Sequence, residues 1–425
     1  MVGEGRAPSG EDEGHLLDQL IGLSRALGAD PALVVAGGGN TSLKVGRRLV
    51  VKASGQFLAR ATRDSFVELG RDALQALLAR DLGPSRGSRE AAYKDGLLAA
   101  RLRPEVGQRP SVESLVHHVM PGRFVAHVHA NLVNQFSCCA RGEALVMDRL
   151  GAEIAWAPLA DPGFALARVL ERVLAEYVGA HIGRSPRAVV LENHGLVVSG
   201  GTPEEAVGHL NWLLSRLADL KSSTLAGAAS PSAPPGTGPK APVKAQPLAG
   251  PAVTGQAVTG QAAAAGALAR ALSGTHGDGR PVAVIFDGSA DVISFVTSRR
   301  GHQLTSGGPL TPDQVVYCRS VPLWLRLPAS GTEAEVCEAT TRAVAAYASR
   351  HGYPPAVVLV EDVGLFACAP THQQAAAARD VYADAIKLMN GADELGGIRY
   401  LDEDFCEFIE NWEVEAYRKH IAAAT

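Results

Sequence analysis

The sequence predicts an α/β protein of two domains, and three observations carry that reading. Short β-branched apolar runs alternate with stretches of helical periodicity along the chain. The composition breaks once, from Ser222 to about Gly266, in an Ala/Pro/Gly-rich stretch with no aromatic residue and only Lys240 and Lys244 as charges. The flanks of that break also echo each other: RSPRAVVLENHGLVVSGGTPEEAV (184–207) aligns without a gap with YPPAVVLVEDVGLFACAPTHQQAA (353–376). At 425 residues, 46% hydrophobic, the chain is long enough for two packed cores.

Taken in order, Gly14–Gly28 has apolar residues at helical spacing and ends in glycine, which predicts a helix. Leu33–Ala36 and Leu49–Lys52 read as strands around a glycine turn, and Val125–Val128 and Ala188–Leu191 as further strands. Thr202 as N-cap and Pro203 in the first turn open a helix running to about Leu220. The stretch 222–266 cannot bury enough apolar area to offset its ordering entropy and reads as a mobile linker. Its Ala-rich end leads into a helix at AAAAGALARALSG. The expected division is therefore 1–221, a linker over 222–266, and 267–425. In the repeat His194 faces Val363, so the second unit reads as a copy that has lost a chemically active position.

Composition removes several function classes. Forty-four acidic against 40 basic side chains give a net charge of −4, without the basic face a nucleic-acid partner requires. The six cysteines include no CxxC pair, and no 18-residue apolar run exists. The acidic start MVGEGRAPSGEDEG is unlike a signal sequence, so a soluble, cytoplasmic protein without a membrane partner is expected. No GxGxxG or GxxxxGK[ST] loop occurs, and GTHGDG (274–279) has the wrong spacing and reads as a turn.

Three motifs carry chemistry. His127-Val128-His129 follows an apolar strand, where residues i and i+2 face one side and can reach one metal ion. Such a pair alone is as compatible with a structural role; His194, between the strand AVVL and Gly195, supplies the third ligand that a catalytic site needs. Gly37-Gly38-Gly39-Asn40-Thr41-Ser42 offers backbone N–H groups and polar side chains to an anion, and Ala53-Ser54-Gly55 repeats the theme. Either alone is a tight turn as readily as a phosphate cradle; two at the ends of adjacent strands favour the cradle. In Pro110-Ser111-Val112-Glu113, Glu113 shares a helix face with His117, and the residues alone fit a helix start with a capping serine. Asp313 in TPDQ could reach into the site, although a helix N-cap turn is the simpler reading.

Together, GGGNTS, KASG, PSVESLVH, HVHA and ENHGLVVSG resemble the class II aldolase/adducin family, above all the aldolase part of bifunctional rhamnulose-1-phosphate aldolase/alcohol dehydrogenases. The resemblance runs from about Leu33 through the second half, where IFDGSADVISFV, GGPLTPDQVV and VLVEDVGLFACAP carry it. It implies a class II aldolase-like three-layer sandwich followed by a degenerate aldolase-like α/β domain, and a chain lacking the dehydrogenase domain. His127, His129 and His194 match the zinc histidines and Glu113 the catalytic glutamate. Gly39, Asn40, Ser54, Gly55 and Ser111 match the phosphate contacts, although Val112 stands where simpler members carry a second serine. Zn2+ is the implied cofactor, with other first-row divalent ions suited to the same donors. The implied reaction is retro-aldol cleavage of a ketose 1-phosphate by a homo-oligomer, with a further acid from a neighbouring subunit, among Tyr93, Tyr177, Tyr317 and the C-terminal tyrosines. Sugar-phosphate 4-epimerisation on the same scaffold and a non-catalytic adducin-like interaction module are the alternatives.

Overall fold

The computed structural model describes residues 10–228, 255–274, 282–327 and 332–412. The first domain contributes β1 (Asn40–Val45), β2 (Arg48–Lys52), β3 (Phe66–Gly70), β4 (Phe124–Val128), β5 (Ile154–Ala157), β6 (Ala188–Leu191) and β7 (Gly195–Gly200). They form one sheet in the order β3-β2-β1-β4-β7-β6-β5, antiparallel except for the β5–β6 pair. Because side chains alternate across a strand, Phe124, Ala126 and Val128 face one core while Val125 faces the other. The first core is closed by the helices Gly10–Gly28 and Pro203–Ala228, the second by Arg71–Leu78 and Phe164–Ala180. Helices on both faces of one sheet give the three layers.

The second domain contributes β8 (Ala283–Asp287), β9 (Leu323–Leu325), β10 (Val357–Val360) and β11 (Gly364–Ala369), in the order β8-β11-β10-β9. This reproduces β4-β7-β6-β5, down to the parallel outer pair and the hairpin register. Leu191 pairs with Gly195 as Val360 pairs with Gly364. Asn193 (φ 54°) and Asp362 (φ 62°) take the same left-handed turn position, and Thr202 and Thr371 each accept an N–H at the start of the following helix. Val357 and Leu359 face one core and Val358 and Val360 another, so this half is layered too. The domains share apolar contacts: Ala392 and Leu395 of the second are buried in a core of the first.

Two expectations are corrected. Leu33–Ala36 is a turn rather than a strand. Ala36 and Gly39 have positive φ, Leu33 and Val34 are buried as a plug, and Leu33 O accepts from His129 N instead of joining a ladder. The linker expected over 222–266 is also too wide at both ends. The helix begun at Pro203 continues to Ala228, with the Ser223 and Thr224 hydroxyls turned back onto Leu220 O, so that they complement the helix instead of ending it. A helix resumes at Gly255, takes in the second VTGQ copy (258–261), and buries Leu268 and Leu272. The centre of the expected linker, and GTHGDG after Gly274, lie outside the described residues. No helix among the described residues is long and apolar enough to cross a membrane.

Candidate metal centre

β4 lies mid-sheet, with His127 opposite Asn40 of β1 on one side and Val197 of β7 on the other. His129 continues beyond the strand end, and His194 comes from the β6–β7 turn, immediately after left-handed Asn193. Their ring centroids are 4.8, 4.9 and 5.1 Å apart, and the three residues can offer nitrogens all within 4.8 Å of one another. Gly195 makes room for this: a Cβ there would lie 2.9 Å from His129 Cδ2 and 2.5 Å from Val128 O. Sequence spacing and structure agree in bringing these three histidines together.

Hydrogen bonds fix which nitrogens converge. His127 Nδ1 is 2.9 Å from Leu196 O, and a carbonyl can only accept, so Nδ1 carries the proton and Nε2 the lone pair. His129 Nδ1 meets the carboxylate Oδ2 of Asp313 at 2.5 Å, with the same consequence. The Nε2 atoms of His127 and His129 approach to 2.9 Å. Glu113, the N-cap residue of the helix Ser114–Val119, turns Oε1 to 3.3 Å from Nε2 of both His127 and His194. Oε1 is buried without a hydrogen bond. A carboxylate oxygen facing imidazole lone pairs calls for a cation, so the donor set fits a divalent metal ion.

The other carboxylate oxygen is held. Asn40 Nδ2 donates to Glu113 Oε2 at 2.5 Å, and Asn40 Oδ1 accepts from His117 Nε2, whose Nδ1 lies 2.8 Å from Ser42 Oγ. Burial drives the His117 pKa down to about 3, so the ring stays neutral and can bond through both nitrogens. Burial alone would raise the Glu113 carboxyl, but the neighbouring imidazoles, His127 foremost, favour the carboxylate and hold the pKa well below the ordinary value. Burial alone would lower His127, but the reciprocal attraction of Glu113 outweighs it and raises the pKa, whereas burial takes His194 down to about 3.

Gly39, Asn40, Ser54, Gly55, Ser111, Glu113, His129 and His194 all line one cavity, with Lys52 and Asp313 among them; His127 lies behind it, fully buried. The N–H groups of Gly37 and Gly38 bond Tyr317 Oη and Val35 O, so the anion-binding reading of the triple glycine narrows to Gly39, at φ 66°. Gly55 has φ 83°, where the chain turns back under the cavity. Ser111 Oγ lies 3.4 Å from Asn40 Nδ2 and accepts from Glu113 N at 3.2 Å, so it lines the site in a turn just before the helix. Tyr93 and Tyr177 donate to the backbone oxygens of Val112 and Ala152.

Lys52 and the role of His117 were missed by the sequence reading, and Asp313 was read first as a turn residue. Lys52 was visible in KASG but carries no spacing signal; it is buried, with Nζ 2.7 Å from Gln56 O. His117 was paired with Glu113 by helical spacing, and its link through Asn40 needed β1 to lie against that helix. Asp313 does sit in a helix N-terminal turn, N-capped by Thr311, and also reaches His129 from 184 residues away.

Two family models match the chain: the class II aldolase and adducin N-terminal domain over residues 18–220, and the second domain of class II aldolases over 259–418. The chain belongs to the class II aldolase family. Among relatives of this chain, the Bacillus subtilis (strain 168) protein YuxG, described as an uncharacterized oxidoreductase, is 25% identical over 96% of the chain. The chain spans 58% of that relative's length. The N-terminal class II aldolase domain of a Thermoplasma acidophilum protein is 27% identical, covering 51% of this chain and 96% of that one with a TM-score of 0.42. The L-fuculose-1-phosphate aldolase of Thermus thermophilus is 18% identical, covering 51% of this chain and all of its own, with a TM-score of 0.34.

The second domain of this aldolase-family chain has the frame without the donors. β8 pairs with β11 as β4 pairs with β7, which sets Phe286, Gly288 and Val363 in place of His127, His129 and His194. The Phe286 ring packs against Phe366, with centroids 4.9 Å apart.

Proposed function

We propose that the protein is a metal-dependent aldolase that cleaves a ketose 1-phosphate, of the rhamnulose-1-phosphate kind, reversibly to dihydroxyacetone phosphate and a short aldehyde. The observation that supports the reading most directly is Glu113 Oε1, buried without a hydrogen bond and 3.3 Å from two imidazole nitrogens. His127, His129 and His194 would hold the ion, zinc being the best match to three nitrogen donors. A divalent ion there would supply Lewis-acid polarisation of the substrate's oxygens, worth several kcal/mol to the transition state.

This chain's own groups do the rest. With Oε2 fixed by Asn40, Oε1 is the oxygen that takes the proton from the donor carbon in the aldol direction and returns it in cleavage. A positioned acid–base group of this kind is worth about 10²–10⁴ in rate. Gly39, Asn40, Ser54, Gly55 and Ser111, with the Lys52 ammonium beside them, would hold the phosphate and so orient the reacting end. The buried wall of His127 and Glu113 excludes bulk water from the carbon that accepts the proton.

The test combines elemental analysis with a coupled assay for dihydroxyacetone phosphate and aldehyde release over a panel of ketose 1-phosphates. Glu113→Gln is expected to keep about one metal ion per chain and lose about 10²–10⁴ in kcat, while His194→Ala loses the metal. Full turnover by Glu113→Gln refutes the role, and isomerised sugar without released aldehyde identifies an epimerase instead.

A further inference from the structure

The second domain carries Phe286, Gly288 and Val363 in place of the three histidines, yet one of its loops contacts His129 and the residue before His194. Asn193 Nδ2, in the turn just before His194, donates to Leu310 O and to Arg399 O, each at 2.8 Å. Three residues after Leu310, Asp313 places Oδ2 2.5 Å from His129 Nδ1. Gly38 leaves the space for it: a Cβ there would lie 2.9 Å from Asp313 Oδ2 and 3.3 Å from His129 Nδ1.

The loop is rigid where it makes these contacts. Thr311 Oγ1 accepts from Gln314 N at 3.3 Å, Gln314 Oε1 accepts from Leu310 N at 2.9 Å, and Pro312 fixes the first turn of the helix Pro312–Cys318. Asp313 itself is 8% exposed. Its carboxylate sits on the Nδ1 side of His129, away from the converging Nε2 atoms, so it addresses the ring and not the ion.

We infer that Asp313 is a positioning residue that fixes His129 as a metal ligand, so that the second domain completes in cis the metal centre of the first. The inference rests on the metal-site reading above. A carboxylate that accepts from Nδ1–H locks the proton there, leaves the lone pair on Nε2, and raises the basicity of the ring. For His127 the backbone carbonyl of Leu196 has the equivalent role within the first domain. His129, beyond the end of β4, has no strand partner to do this, and the neighbouring domain supplies one.

The experiment uses the full chain with Asp313→Ala and Asp313→Asn, the latter close in volume and able to accept from Nδ1–H through its amide oxygen. Zinc affinity is read by competition with a chromophoric chelator, and the His129 tautomer of metal-free protein by nitrogen NMR of histidine-labelled samples. In Asp313→Ala the affinity is expected to fall about 10–100-fold, with His129 losing its single Nδ1–H tautomer. Asp313→Asn is expected to keep that tautomer and recover part of the affinity. A role confined to stability would lower the melting temperature and leave tautomer and affinity alone. An Asp313→Ala protein with wild-type tautomer, or with zinc affinity within twofold of wild type, overturns the inference. If the wild-type chain binds no zinc, the aldolase reading fails, and the metal-free tautomer still decides the part played by Asp313.

Discussion

A methyl group added at Gly195 probes how closely the candidate metal centre depends on the approach of β7 to β4. An alanine Cβ would lie 2.5 Å from Val128 O, 2.9 Å from His129 Cδ2 and 3.3 Å from His127 Cε1. The first of these is backbone in mid-sheet and cannot swing aside. Overpacking of this kind costs about 1–3 kcal/mol. Relief by parting β4 from β7 is read as lost stability; relief by tilting the rings is read as lost metal affinity. If the rings absorb it all, about 1–3 kcal/mol corresponds to a roughly 5- to 150-fold weaker metal complex. Chelator competition and thermal melting of the metal-free protein, on the same Gly195→Ala sample, separate the two. Gly208→Ala is the control, since a Cβ there meets nothing within 4 Å. Unchanged affinity together with an unchanged melting temperature in Gly195→Ala would refute the steric reasoning.

Two further outcomes follow from burial and from helix capping. His117, with its pKa taken down to about 3 by burial, should remain neutral to NMR at pH 5, about 1% protonated. Because the folded pKa lies below the unfolded one, the unfolded chain binds the extra proton between those values. The His117 contribution therefore destabilises the fold progressively as pH falls from about 6.5 to 3, and His117→Gln should flatten that part of the profile; a His117 midpoint above pH 6 contradicts this. In the second domain, Thr332 and Glu335 form a reciprocal cap at the start of the helix Glu333–His351. Thr332→Ala should cost about 1 kcal/mol by denaturant titration, with zinc affinity within twofold of wild type.

Much of the first domain was legible because its signals are local. The HxH spacing, the AVVL strand before His194 and the Thr202–Pro203 helix start each depend on neighbours a few residues apart, and each survives folding unchanged. LVVA at 33–36 misled because its apolar residues plug the core from a turn, and burial leaves the same mark on a sequence whether or not a ladder forms. The helix extension to Ala228 was hidden because the stretch after Leu220 has little apolar area to bury, while Ser223 and Thr224 bond back to Leu220 O within the helix. Asn40 illustrates the other limit. It was picked out as an anion ligand from its place after three glycines, and on β1 its side chain also bridges His117 of the helix Ser114–Val119 and Glu113 at its N-cap. Asp313 and His129 meet only when the two domains pack together, so nothing within either segment announces the contact.

The two halves also isolate what chemistry demands from what architecture demands. Both hairpins keep the glycine that opens the second strand, and in both a Cβ there would strike the carbonyl of the neighbouring strand, Val128 O at 2.5 Å or Asp287 O at 2.6 Å. The glycine, the left-handed residue two places before it and the helix-opening threonine have therefore been retained without any ion to bind. Within the shared hairpin frame the ligand positions differ in kind: His127, His129 and His194 against Phe286, Gly288 and Val363. Divergent relatives can be sorted on that basis. A sequence that keeps the hairpin signature but has lost the imidazoles has inherited the scaffold only, and likeness in fold would misassign it as a catalyst.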